Sequence, residues 1–191
     1  MARERILTRD VLLENTGDLL IETGYEGFTI SLLAERLKVS RGAIYKYYSN
    51  KDTLLMEYML YHMEQFIEEL KGIEANTEFL DQFDFLIQML YWHSKVHQIL
   101  KTARQIPIQE QTKTEEDMNR FHKMYEAMTK QLKQFISFGK QEKYIRPELP
   151  DEIIFVFLFQ LVEVPSTSQI KRDQWMKHVT EILKRGIFEK Y

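Results

Sequence analysis

The chain has 191 residues, 44% of them hydrophobic and 29% charged, which is long enough for a sizeable core and too apolar for a disordered chain. It contains no Cys, so disulfides, thiolate nucleophiles and Cys-based zinc sites are excluded together, as suits a reducing cytosol. A net charge of −3 argues against indiscriminate nucleic-acid binding, yet Arg36, Lys38, Arg41, Lys46 and Lys51 fall in a stretch with no acid, leaving −8 for the remainder.

The opening "MARERILTRDVLLENTGDLL" has no continuous apolar segment and does not read as a signal peptide. The longest apolar run, Ile153 to Phe159, is far short of the roughly 18–20 residues that span a bilayer. A soluble, cytoplasmic protein without membrane association is therefore expected. No Asn-Gly or Asp-Gly hairpin signal separates alternating runs, and the expected fold class is all-α.

The first helix is expected from about Arg3 to Thr23, with Ile6, Leu13 and Leu20 at heptad spacing, and Gly24 closing it. Thr29 is the expected N-cap of a short second helix, whose Ile30, Leu33, Ala34 and Leu37 share one face. Ser40 caps a third helix with Ile44 and Tyr48 turned inward. Ser49 or Asn50 caps a fourth, Ser49 and Asp52 having capping-box spacing, and Gly72 ends it near Leu70. Beyond Asn76 two longer helices carry the stripes Phe79, Phe83, Leu86, Leu90, His93, His97, Leu100 and Met118, Phe121, Tyr125, Met128, Leu132, Phe135, separated by Pro107. The last pair is expected at Asp151–Val164 and Asp173–Phe188, with Trp175, Val179, Ile182 and Gly186 on one face of the final helix. A boundary near residue 50 divides a small unit, 1–50, from a larger one, 51–191.

Two short helices joined by a tight turn, with a third behind them, are the parts of a helix-turn-helix, whose second helix enters the major groove by its N-terminal end. In those terms Ser40 and the free N–H groups beside it can hold a phosphate. Arg41 can reach a guanine edge with two hydrogen bonds, or a phosphate with one. Gly42 and Ala43 let the backbone approach the bases, Tyr45 and Tyr47 bring hydroxyls to phosphate height, and Lys46 and Lys51 supply charge. The competing reading is a small helical domain whose Tyr residues only pack.

From about Arg3 to Leu55 the chain resembles the DNA-binding domain of the tetracycline-repressor (TetR) family of bacterial transcription regulators, on the stretch "FTISLLAERLKVSRGAIYKYYSNKDTLL". The resemblance implies a three-helix DNA-binding unit, a larger helical effector domain, and a homodimer held by the last two helices, near 151–164 and 173–188. By position it implies DNA contact for Thr29, Ser40, Arg41, Gly42, Ala43, Tyr45, Lys46, Tyr47 and Lys51. Two positions depart from the family pattern. Lys38 replaces the usual turn Gly, costing about 1 kcal/mol if that backbone is left-handed, unless the turn itself differs. Tyr48 replaces the usual Phe, and its hydroxyl needs a partner if buried.

The resemblance further implies an inducer cavity among the helices of 53–140, although no motif there transfers residue by residue. Most aromatic residues and every Met except Met1 lie beyond residue 52, which suits either an adaptable pocket or an ordinary core. Met89, Trp92, His93, His97, Phe121 and Tyr125 are the expected effector-facing residues, for an apolar or aromatic small molecule. His93 and His97 at i and i+4 could also share a metal, with His122 or an acid as third ligand, but no carboxylate motif accompanies them, and neither metal nor cofactor is expected. The run "IIFVFLFQLVEVP" suits a helix covered on one side by core and on the other by a partner subunit. Glu163 near its end is an interface or cap residue, or a counter-ion for a cationic ligand. No P-loop, GxGxxG, HExxH or GxSxG occurs, so enzymatic activity is not expected. The function expected is a ligand-responsive regulator, by preference a repressor, bound as a homodimer to a near-palindromic operator. The alternative is an architectural or cell-division factor on the same scaffold, whose large domain binds a protein.

Overall fold

The computed structural model describes residues 7–75, 78–94, 115–161 and 171–189. Among these the regular structure is helical, with one isolated antiparallel bridge between Ile145 and Phe188 and no strand. The helices are α1 (Arg9–Gly27), α2 (Ile30–Leu37), α3 (Arg41–Tyr45), α4 (Lys51–Leu70), a 3-10 turn (Lys71–Ala75), α5 (Phe79–Trp92), α6 (Glu115–Gln141), α7 (Asp151–Leu161) and α8 (Arg172–Ile187). No described helix is long and apolar enough to cross a membrane.

The chain forms two compact units, one of residues 1–62 and 98–121, the other of 63–97 and 122–191. In the first, α1 contributes Leu12, Leu13, Leu19 and Leu20, α2 Ile30, Leu33 and Ala34, α3 Ile44, and α4 Leu54, Leu55 and Tyr58 to one core, with Phe28 between α1 and α2. The first helix begins later than its sequence suggests. Thr8 is its N-cap, accepting the Val11 N–H at 3.3 Å, so the start lies at Arg9 rather than Arg3. Gly24 does break the regular helix, at φ 66 and ψ 178, before one further turn to Gly27.

The fourth helix is capped by Asn50, not by Ser49 with Asp52. The Asn50 side chain accepts the Thr53 N–H at 2.8 Å, and the Thr53 hydroxyl accepts the Asn50 N–H at 3.2 Å, a reciprocal box one residue along. Asp52 is thereby released to accept the Tyr25 hydroxyl at 3.0 Å.

The second unit is centred on Phe79, whose ring stacks on Phe135 at 5.0 Å and Tyr144 at 5.2 Å and meets Phe188 at 5.7 Å. Gly139 of α6 makes that approach feasible, since a Cβ there would stand 2.5 Å from the Phe79 ring. Lys140 donates to the Leu149 carbonyl and to Asp151, both at 2.6 Å, tying the end of α6 to the start of α7.

Three expectations change in this unit. The fifth helix stops at Trp92 and His93 is its C-cap, at φ −85 and ψ 3, so the helical stripe does not run through His93. His97, Leu100, Pro107, Val164 and Glu163 lie outside the described residues. In α6 the buried stripe is Met128, Leu132, Phe135, Ile136 and Gly139, while Tyr125 is exposed. The buried face of α8 is Trp175, Val179, Leu183 and Ile187; Ile182 and Gly186 face outward, Ile182 being 67% exposed.

Candidate nucleic-acid interface

Each helix of the N-terminal unit starts and stops through local side-chain chemistry. Thr29, extended at φ −137, accepts the Leu32 N–H at 3.2 Å and starts α2. Its end is a left-handed residue, Lys38, at φ 57 and ψ 41. The Lys38 N–H reaches the Glu35 carbonyl at 3.0 Å and the Val39 N–H the Ala34 carbonyl at 3.0 Å, the two bonds of a Schellman motif. The left-handed form of this turn is therefore realised, without glycine. Ser40 then caps α3, its hydroxyl accepting the Ala43 N–H at 3.2 Å. Ile44 is fully buried and anchors α3 from beneath.

Burial of Ile44 fixes which residues of α3 face solvent. Ser40, Arg41, Gly42, Tyr45, Lys46 and Tyr47 are exposed and Ala43 is half-buried, on the same short segment as the exposed Lys38. Among the described residues, Arg41 and Lys46 form no ion pair, so both cations remain available to an anionic partner. Arg36 is not available in that way. Its guanidinium makes two bonds to Glu22, at 2.8 and 2.9 Å, which hold the Glu22 carboxyl below its ordinary range and join α2 to α1.

Two tyrosines and a lysine have more specific placements than their sequence positions reveal. The Tyr47 hydroxyl donates to the Leu7 carbonyl at 2.9 Å, linking the segment after α3 to the chain just before α1. Tyr48 is half-buried, and burial pushes its hydroxyl pKa up; its polar partner is Arg9. Arg9 in turn pairs with Glu57 of α4, which also accepts Arg120 at 3.3 Å. Lys51 is turned inward. Its ammonium donates to the Tyr25 carbonyl and lies 3.6 Å from the Tyr25 ring centroid, and burial lowers its pKa. The Tyr25 hydroxyl, partly buried and bonded to Asp52, has its pKa pushed up to about 12. Sequence reasoning missed Arg9, Tyr25 and Glu57, whose contacts join residues 26 to 63 positions apart.

Among the described residues, Met89, Trp92, His93 and Tyr125 do not line one recess. Met89 is buried in the core, and His93 is hydrogen-bonded to Glu69 at 3.0 Å with its ring edge-on to Phe66. Trp92 lines a cleft with Gln88, Tyr91, Asp173 and Met176, whereas Tyr125 lines a separate groove of about 600 Å³ with Lys130, Lys133 and Phe138. Phe121 is half-buried. Among the described residues no group of three or more His, Cys, Asp or Glu could hold a metal ion.

The family model for bacterial regulatory proteins of the tetR family matches residues 12–58, the stretch that carries α2, α3 and their caps. The N-terminal domain belongs to the tetR family. That family is one of regulatory proteins rather than enzymes. The chain is also similar to the uncharacterized HTH-type transcriptional regulator YdeS of Bacillus subtilis (strain 168), 42% identical over 53 residues. The match spans 28% of this chain and 27% of that relative's length. Over nearly the whole chain the fold is similar to that of the ketosteroid transcriptional regulator KstR2 of Mycobacterium tuberculosis, with a TM-score of 0.70 at 17% identity, covering 98% of each chain. It is also similar to the regulator FadR from Bacillus subtilis in complex with stearoyl-CoA (TM-score 0.67, 20% identity, 94% of this chain and 100% of that one). A third likeness is to a regulator from Saccharomonospora viridis in complex with choline (TM-score 0.72, 14% identity, 95% and 98%). At such identities the likeness is one of fold: an N-terminal helix-turn-helix followed by a larger helical domain.

Proposed function

We propose that the chain is a ligand-responsive transcriptional repressor that binds a near-palindromic operator as a homodimer. The observation that carries this reading is the exposed, cation-bearing surface of α3, with Arg41 and Lys46 unpaired on a helix whose opposite side is anchored by fully buried Ile44. In this reading Arg41 reads a base edge or grips a phosphate, and Gly42 and Ala43 admit the backbone to the groove. Thr29, Ser40, Tyr45 and Lys46 hold phosphates, those at helix starts with the help of free N–H groups, and Tyr47 does so by exchanging its bond to the Leu7 carbonyl for one to a phosphate oxygen. Lys51, bonded to Tyr25, supports the domain and adds charge near the strand.

Homodimerisation is supported by an uncovered apolar face on the last two helices. Ile153, Val156 and Phe157 of α7 are 50–58% exposed, and Ile182 of α8 is exposed as well. A second copy covering this face would remove several large apolar side chains from water, each contributing about 1.5–3 kcal/mol when fully buried. That two structural relatives are found in complex with stearoyl-CoA and with choline favours a small-molecule effector for this chain, which this reading assigns to the larger domain. Such an effector would act by binding one spacing of the two recognition helices more tightly than another.

Footprinting on the DNA upstream of the protein's own coding sequence tests the reading. Two protected half-sites with centres about 10–10.5 base pairs apart, or a multiple of that, are expected of a dimer. A single unsymmetrical protected block would contradict the homodimer, and uniform protection of any fragment would contradict operator recognition.

A further inference from the structure

Lys38 stands between α2 and α3, at φ 57 and ψ 41, so the turn between them is left-handed. Glycine adopts that backbone without steric cost, and Asn or Asp offsets the cost with local hydrogen bonds; a lysine does neither. Strained backbone of this kind clusters at sites that bind or switch. No local use explains the Lys38 side chain. It is exposed, and among the described residues its ammonium forms no ion pair, not even with Glu35 one turn back, whose carbonyl closes the turn. At most about 7 Å of chain separates its Cα from that of Ser40, the cap of α3. Arg41 and Lys46, also exposed and also without an ion pair among the described residues, follow on α3 and just after it.

We propose that Lys38 is a phosphate-binding residue, its ammonium engaging the DNA backbone at the edge of the groove that α3 enters. This rests on the DNA-binding reading above and adds to it a contact made by the turn itself. A phosphate contact positions the protein without reading sequence, and a compact charge on a flexible stem suits that task, as the guanidinium fork of Arg41 suits a base edge. A rival use is attraction between the ammonium and the negative end of α2. Lys143, left-handed at the end of α6, has the same opportunity far along the chain from α3. That use concerns stability alone and leaves DNA affinity untouched.

The test is fluorescence anisotropy of the full chain on a labelled duplex of its own upstream DNA and on a scrambled duplex, across a salt series, with K38G, K38Q and K38R. Each phosphate contact contributes about 0.9 to the slope of log affinity against log salt. K38G and K38Q are both expected to flatten that slope by about 0.9 per bound protomer. They should also weaken binding about five- to tenfold per protomer near 0.1 M salt, on both duplexes alike. K38R should keep the wild-type slope. Because K38Q retains a long side chain on the left-handed backbone, a loss shared with K38G is a loss of charge. A loss in K38G alone would assign the effect to the turn's flexibility and overturn the proposal. A K38Q protein with a lower urea midpoint and an unchanged slope would assign it to the helix end and overturn it too. A wild-type preference for the native duplex, with unchanged slopes in all three variants, overturns this contact and leaves the DNA-binding reading standing. Wild type that binds neither duplex at low salt overturns that reading, and the contact with it.

Discussion

Lys38 and Lys143 hold the left-handed backbone that helix C-termini usually give to glycine, at φ 57 and φ 60. Both close Schellman motifs, the second through Lys143 N–H to the Lys140 carbonyl and Tyr144 N–H to the Gly139 carbonyl. A non-glycine residue costs roughly 1–2 kcal/mol there, against about 0.5–1 kcal/mol for the extra freedom glycine gives the unfolded chain. Lys38→Gly should therefore stabilise the protein by about 0.5–1 kcal/mol, read as a higher urea midpoint with an unchanged slope. A lower midpoint would mean that the lysine side chain contributes more than its backbone costs. Tyr25 provides a test by pH. Its hydroxyl holds a proton in the folded chain up to about pH 12, whereas the unfolded chain releases it near its ordinary value of 10. The stabilisation is thus complete below about pH 10 and lost as pH rises toward about 12. Tyr25→Phe should lose less stability than wild type between those two values, measured by urea midpoints at each. Tyr58, also pushed up by burial, titrates in both proteins and leaves the difference intact.

Helices were legible where their ends are chemical and local. Thr29 and Ser40 cap α2 and α3 as their positions suggest, because an N-cap needs only a short oxygen-bearing side chain and the next three residues. Where two local solutions share one spacing, sequence cannot choose. Ser49 with Asp52 and Asn50 with Thr53 are both four-residue boxes, and the second forms while Asp52 turns to Tyr25. The same ambiguity explains α8. A period of 3.6 admits either Ile182 and Gly186 or Leu183 and Ile187 beside Trp175 and Val179, and only packing against α5 selects the latter. Packing likewise decides what two glycines do. A Cβ on Gly139 would meet the Phe79 ring at 2.5 Å and Ile145 at 2.7 Å, while one on Gly186 meets nothing within 4 Å. Gly139→Ala should cost about 1–3 kcal/mol by overpacking, and Gly186→Ala should gain about 0.5–1 kcal/mol from helix propensity. Thermal or urea unfolding of the two variants checks both signs, and a neutral Gly139→Ala would mean that α6 can shift away from Phe79.

At the scale of the whole molecule, the surface proposed to face DNA is carried by a contiguous stretch of chain, so its residues can be singled out from sequence. An effector site is assembled from distant elements, which spacing along the chain does not group: among the described residues Trp92 and Tyr125 line different recesses, and Met89 and His93 are committed to neighbours. Dimerisation is testable at this scale through Phe157, which is 58% exposed on α7. Phe157→Glu should give a monomer in analytical ultracentrifugation, with its far-UV circular dichroism unchanged. Its operator affinity should fall by about a hundredfold or more, as the second half-site no longer binds in concert. A Phe157→Glu protein that remains dimeric would place the interface elsewhere. The most direct test of the central claim is fluorescence anisotropy of the purified protein on its own upstream DNA, against a scrambled duplex, over a salt series and with Arg41→Ala alongside. Preferential binding to the native fragment that falls steeply with salt, and a loss of about 1–3 kcal/mol of discrimination in Arg41→Ala, are expected. No binding to either duplex at low salt, or an Arg41→Ala protein indistinguishable from wild type, would contradict the role assigned to α3.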